Sequence, residues 1–205
     1  MSDLHKLCLK WDDPIPSQLK ELWVANFGLI DELKSLRFHR AVVPSDAVSL
    51  DIETIETADA GERLVCAAIY VWFKRKNGSY SCQLILARTK IVHELTIPRA
   101  ELEAALLNSS SGHLVRLSLK EKLRKSYKLS TSQVALHWIN CVRYALKMWV
   151  RNRVVEVNRL TEMVSWFYVA SKQNIADLAT RNSKGLRYLT FYLTVLGSRV
   201  CLEKT

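Results

Sequence analysis

The strongest folding instruction in this chain lies between Leu64 and Arg88. Leu64 to Lys74 is an almost unbroken run of apolar, β-branched and aromatic residues, and Tyr80 to Arg88 is a second. Such residues suit a pleated surface. Between them lies Lys76-Asn77-Gly78-Ser79, and Asn-Gly supplies the positive φ that a tight hairpin needs. Ahead of the hairpin, Ile52 to Ala58 is a Thr- and Glu-bearing extended run that ends at Asp59-Ala60-Gly61. The three runs predict an antiparallel meander with Asp59 on its first strand.

Past the hairpin the apolar spacing turns helical. Pro98 suits the first turn of a helix, predicted from Pro98 to about Asn108 with Glu101 in its opening turn. Ser109-Ser110-Ser111-Gly112 is expected to interrupt it, with helical spacing resuming from His113 to Arg124. A short extended piece, Tyr127 to Ser130, precedes a helix carrying Val134, Leu136, Trp138, Ile139, Val142 and Leu146. Arg151 to Arg181 reads as a helix, a strand over Ser165 to Val169, a polar turn, and a new helix opening near Asn174. Asn174 is the expected N-cap, with Asp177 in the first turn. The order β-β-β-α-β-α-α-β-α specifies an α/β fold, a mixed sheet flanked by helices.

The N-terminal part is different. Trp11 to Pro16 is turn-rich, and Ser17 is placed to cap a helix with Leu19, Leu22, Trp23 and Val24 on its apolar face. Gly28 is expected to break it, Ile30, Leu33 and Leu36 to mark a second short helix, and Ala41 to Leu50 to be a linker. The expected organisation is an N-terminal helical segment over residues 1–45, a main domain over 46–183 and a divergent tail over 184–205.

The 205 residues suffice for one domain with a real core plus an appendage. No apolar run approaches the roughly 18 residues that span a bilayer, and the N-terminus lacks a secretory pattern. Five cysteines without a CxxC suit a reduced compartment, cytoplasmic or nuclear, and argue against a disulfide framework or a zinc site. His5, His39, His93, His113 and His137 show no ligand spacing. Net charge is +10 and uneven: Lys122 to Val155 holds no acid, while Lys122, Arg124, Lys125, Lys128, Arg143, Lys147, Arg151 and Arg153 alternate with Tyr and Trp. That pattern fits a polyanionic partner, nucleic acid first, and equally a solvated helix face with aromatics turned to the core. Trp138 and Trp166 are assigned to the core.

Three carboxylates share an architectural logic: Asp59 on the first strand, Glu101 opening one helix and Asp177 opening another. Hard divalent cations take oxygen ligands, and phosphodiester hydrolysis by two magnesium ions needs such a cluster. Each acid also has a plainer reading, as an edge-strand Asp, a helix-dipole partner or a cap.

The chain resembles the ribonuclease H-like region of Bel/Pao-type retroelement polyproteins, which follows the reverse transcriptase. The resemblance is carried by Asp59-Ala60-Gly61-Glu62-Arg63 with Ala67-Ala68-Ile69-Tyr70, by Leu95-Thr96-Ile97-Pro98-Arg99-Ala100-Glu101 running on to Leu106, by Leu136-His137-Trp138-Ile139, and by Asn152 through Arg181. Trp11-Asp12-Asp13-Pro14 and Phe38-His39-Arg40 resemble the segment leading into that region. The resemblance spans roughly residues 8 to 182. It implies a ribonuclease H-like five-stranded sheet, magnesium dependence and an RNA–DNA hybrid as substrate, with Asp59, Glu101 and Asp177 as metal-binding acids. Arg99, Lys122, Arg124, Lys125, Lys172 and Asn174 are the candidate nucleic-acid contacts. For Arg99 a solvated first-turn position, and for Ser171 to Asn174 a capping turn, are the competing readings.

The departures are informative. Where the family carries an Asp-Ser pair after the fourth strand, this chain reads Ser130-Thr131-Ser132, so Thr131 stands at the place of a metal-binding Asp. No acid lies between Glu121 and Glu156 to replace it. Gly61 replaces a usual Ser, and Asp51, Glu53 and Glu56 make the first strand unusually acidic. A degenerate site with impaired hydrolysis is expected. The alternative functions are an inactive nucleic-acid-binding module, or a protein-interaction scaffold. An aspartic peptidase is rejected, because Ala60 lacks the hydroxyl that an Asp-Thr/Ser-Gly loop uses.

Overall fold

A single glycine does not stop the first helix. In the computed structural model, which describes residues 7–10, 12–34, 42, 45–48, 52–119, 123–141, 146–161 and 165–180, α1 (Ser17–Leu33) runs straight through Gly28. An interior Gly costs only about 1 kcal/mol against Ala, and the neighbouring residues offset that. The amides of Leu19 and Lys20 bond to the Pro16 carbonyl, so Ser17 sits inside the first turn. Two compact units make up the chain, Met1–Phe38 and His39–Thr205. Leu36 and the tail beyond Thr180 lie outside the described residues.

The second unit is organised on the meander. β1 (Ile52–Ala60), β2 (Leu64–Lys74) and β3 (Tyr80–Ile91) pair antiparallel. Of the turn residues only Gly78 has positive φ, at 81°. Arg75 N bonds to Ser79 O at 2.8 Å and Gly78 N to Arg75 O at 2.9 Å. The turn is thus one residue longer than a two-residue hairpin, with glycine at its left-handed position. The expected linker is partly sheet: Ala47 bridges Arg75, and Asp46 pairs with the Arg75 guanidinium at 3.2 Å.

α2 (Ile97–Leu119) leads to β4 (Leu123–Ser130), then come α3 (Gln133–Asn140), α4 (Met148–Leu160) and β5 (Ser165–Tyr168). A 3-10 turn (Ser171–Gln173) and the short α5 (Asp177–Thr180) close the described chain. β4 pairs parallel with β1 and with β5, so the sheet order is β3-β2-β1-β4-β5. Ala58, Val65 and Ala67 pack on Ala100, Ala104 and Leu107 of α2. The opposite side of α2, through Leu102 and Ala105, meets Ile139 of α3 and Val150, Val154 and Val157 of α4, with Trp138 and Trp166 packed against that cluster.

Three expectations are corrected by the fold. α2 does not break at Ser109-Ser110-Ser111-Gly112: Ser109 Oγ donates to Ala105 O at 2.8 Å and Ser110 Oγ to Leu107 O at 3.0 Å. The hydroxyls are satisfied within the helix, and these small residues let it lie close on the sheet. α2 then ends at Leu119, and Leu123 and Arg124, expected to be helical, belong to β4, where pairing of Leu123 with Ile52 and of Lys125 with Glu53 decides the matter. The helix after β4 stops at Asn140, with Cys141 as C-cap; Val142 lies outside the described residues, and α4 begins at Met148.

The close approach of α2 has a polar cause. Lys128, expected on a basic surface, is wholly buried and ion-paired to Glu56, its cross-strand neighbour. Its ammonium also donates to Asn108 Oδ1 at 3.1 Å, and Thr54 Oγ1 donates to Glu56 Oε1 at 3.1 Å. Gly112 makes room for this cluster, since a Cβ there would lie 2.8 Å from Lys128 Nζ. Burial holds the Lys128 pKa below the usual lysine range, against the pull of Glu56.

Candidate active site

The acids come together where β1 ends. Asp59, the last residue but one of β1, is only 5% exposed. β4 runs parallel beside β1 and delivers Thr131 one residue past its own end. There Thr131 Oγ1 donates to Asp59 Oδ1 at 3.2 Å. Asn174 Nδ2 donates to the Ala58 carbonyl at 2.9 Å and approaches the same Asp59 oxygen at 3.4 Å. The other oxygen, Oδ2, accepts a short hydrogen bond from Thr180 Oγ1. Both oxygens of Asp59 are therefore held by protein donors.

Glu101 sits one turn into α2, buried, and its Oε2 has no hydrogen-bond partner among the described residues. Its pKa is pushed up to about 8, first by burial and then by the charges of Asp59 and Asp177. Asp177 is half-buried at the start of α5. The three acids are thus within electrostatic reach of one another. They do not form a cage: among the described residues no group of three or more His, Cys, Asp or Glu side chains is arranged to hold a metal ion. The orphaned Glu101 oxygen is what a cation site would leave, yet the donors on Asp59 occupy the positions that bridging ions need. The residues as they lie do not fit a pair of cations. Cys66, facing Asp59 across the β1–β2 ladder, is no nucleophile, since burial and then the Asp59 charge push its thiol up to about 12.

The other candidates divide. Arg99 is half-buried, its guanidinium 5.3 Å from the Trp149 ring, whose ring also carries Arg153 at 3.5 Å. Arg153 is anchored to Glu103 at 2.6 Å, and Lys90 reaches the same carboxylate at 2.6 Å. Beside Arg99, a groove of about 430 Å³ includes Thr96, Trp138 and Lys147 in its lining. Lys172 is exposed and shares a hollow of about 220 Å³ with Asp177. Asn174 is corrected: it is buried, its amide spent on Ala58 and Asp59 while its Oδ1 accepts from Ala176 N at 3.2 Å. It is a turn-forming residue, not a surface contact. Arg124 and Lys125 are exposed on β4, at the end far from the acids, and Lys122 lies outside the described residues.

Sequence reasoning missed Thr180 and the purpose of Gly61. Thr180 stands three residues after Asp177, on the same helix face, and that spacing was the available signal. A Cβ at residue 61 would lie 2.7 Å from the Thr180 carbonyl oxygen, so only glycine lets α5 seat its hydroxyl on Asp59.

Among the described residues no helix is long and apolar enough to cross a membrane. A family model described as a Pao retrotransposon-like RNaseH-like domain matches residues 1–132, a span that holds Asp59, Glu101 and Thr131. Among solved structures, the N-terminal RNase H domain of Rv2228c from Mycobacterium tuberculosis is similar at 13% identity, covering 64% of this chain and 91% of that one, with a TM-score of 0.47. RNase H1 from Halobacterium salinarum is similar at 13% identity, 64% and 94% coverage, TM-score 0.42. LC11-RNase H1, solved in complex with an RNA/DNA hybrid, gives 12%, 60% and 88%, TM-score 0.41. No curated protein matches the chain.

Proposed function

This chain belongs to the Pao retrotransposon-like RNaseH-like family, and on that premise we propose that it is a retroelement-derived domain that binds nucleic acid, an RNA–DNA hybrid first, with hydrolysis of the RNA strand impaired. RNase H-like domains generally use divalent metal ions, and in this proposal magnesium would be held only weakly, because both oxygens of Asp59 already accept protein hydrogen bonds. The observation that carries the impairment is the Thr131 to Asp59 hydrogen bond. A neutral donor occupies the place of an acid, and it points a proton at the oxygen that a cation would need.

Binding rests on this chain's own cations. Trp149 stacks with Arg99 and fixes its planar fork beside the groove, so less side-chain freedom is lost when a phosphate is met. Lys172 lines a separate hollow together with Asp177. Contacts of this kind make affinity fall steeply with salt. The domain is read as a piece that acts next to a reverse transcriptase portion of a longer polyprotein. The second reading, a scaffold for protein contacts, predicts no salt-sensitive hybrid complex.

The test is a gel assay on a labelled RNA–DNA hybrid with magnesium or manganese, run beside a binding titration. Weak or absent cleavage, salt-sensitive binding and a loss of affinity in Arg99→Glu support the proposal. Robust cleavage that Asp59→Asn abolishes would show an intact nuclease. A hybrid that does not bind at low salt would remove the nucleic-acid reading altogether.

A further inference from the structure

The outer face of β4 and β5 is unlike the rest of the sheet. Residues alternate sides along a strand, and Lys128 and Trp166 point to the helical side. Tyr127 and Phe167 therefore stand on the opposite side. Over β1 to β3 that side is closed, with Ile175 packed among Ile55, Ala68, Tyr70 and Leu84. Over β4 and β5, among the described residues, Phe167 stands 44% exposed. The Tyr127 and Phe167 rings lie 6.2 Å apart at 43°, and Lys125 Nζ sits 4.7 Å from the Tyr127 ring. Glu53, level with Lys125 in register, is the acid that faces it from β1 among the described residues.

We propose that this face is a second nucleic-acid surface, a platform for a single strand, with bases stacked on Phe167 and Tyr127 and phosphates met by Lys125. Two observations choose this occupant over a protein strand pairing with the edge. An exposed ring, Phe167, beside the half-buried Tyr127 and a cation is what unpaired bases and their backbone require, whereas a paired duplex offers no base faces to stack. The stretch from Lys122 to Val155 also holds no acid of its own. The platform absorbs Lys125, which lies six residues, roughly 20 Å, down the strand from Thr131 and so does not reach a phosphate at the acids. Phe167 is level with Leu129, and the platform leads away from the Asp59 end of the sheet.

The platform is independent of hybrid binding at the acids, and the experiment keeps the two apart. Fluorescence anisotropy on the full chain measures a labelled twelve-nucleotide oligo-dT or oligo-U strand and, separately, an RNA–DNA hybrid. Phe167→Ala is expected to weaken single-strand affinity about 5- to 150-fold, the range for one lost base stack, and to leave hybrid affinity within about twofold. Phe167→Trp keeps or tightens single-strand binding, which guards against a folding defect in the first variant. Lys125→Glu weakens it and flattens its salt dependence. Single-strand affinity unchanged in Phe167→Ala, or equal losses for both ligands, overturns the platform. A parent chain that binds the single strand but not the hybrid counts against the hybrid reading and leaves the platform standing.

Discussion

Replacing Lys128 by Met tests the least expected element of the core. The substitution keeps the volume of the side chain but removes the charge that faces Glu56, a residue 1% exposed. What remains on the carboxylate is the Thr54 hydroxyl at 3.1 Å. Removing one partner of a buried ion pair costs about 3–5 kcal/mol, because the survivor is left uncompensated. That is a fifth or more of the roughly 5–15 kcal/mol that holds a typical domain together. With a urea slope of about 1–3 kcal/mol per molar, the unfolding midpoint falls by on the order of 2 M. The double variant Glu56→Leu/Lys128→Met removes both charges and is expected to cost less than the sum of the single changes, with a coupling of about 2 kcal/mol or more. Additive costs in the double-variant cycle would refute the reasoning.

Glu101 gives a pH test in the intact protein. Its folded pKa of about 8 lies above the ordinary 4.5, so between those values the folded chain holds the extra proton and stability falls as pH rises through the window. Glu101→Gln should flatten that slope, matching the parent near pH 5 and exceeding it near pH 9 by up to a few kcal/mol in urea titrations; an unchanged slope would place the effect elsewhere. Gly112→Ala, favourable for the helix by about 1 kcal/mol, is expected to destabilise by about 1–3 kcal/mol overall, because the added carbon would lie 2.7 Å from Glu56 Cδ; a rise in melting temperature would contradict it. Thr131→Asp should lower stability in chelator by about 1–2 kcal/mol, since it exchanges a hydrogen bond for repulsion, and raise cleavage of a hybrid in manganese; no gain in cleavage would mean that the other acids are also misplaced.

The meander was legible because its information is local: the apolar runs and Asn77-Gly78 need no distant partner to be read. The uninterrupted α2 was not, because Ser109 to Gly112 is a poor helical sequence by itself and is made helical by what lies under it. The same holds for Lys128, a surface residue by type, whose partner Glu56 is 72 positions away. At the site, residue types and the resemblance named Asp59, Glu101 and Thr131, and the structure sets Thr131 on Asp59. The inward turn of Asn174 and the reach of Thr180 depend on how α5 seats against β1, which no local pattern encodes.

The ring of amide and hydroxyl groups around Asp59 has a consequence for inheritance. An end of a sheet lined by bare carboxylates repels itself and leans on dissolved ions to stay shut, so its folding tracks their supply. On the proposed reading the bonds from Thr131, Asn174 and Thr180 to Asp59 take over part of that task. A chain with Asp at position 131 would then trade a contact it makes to itself for one that must find its ions before that corner is whole.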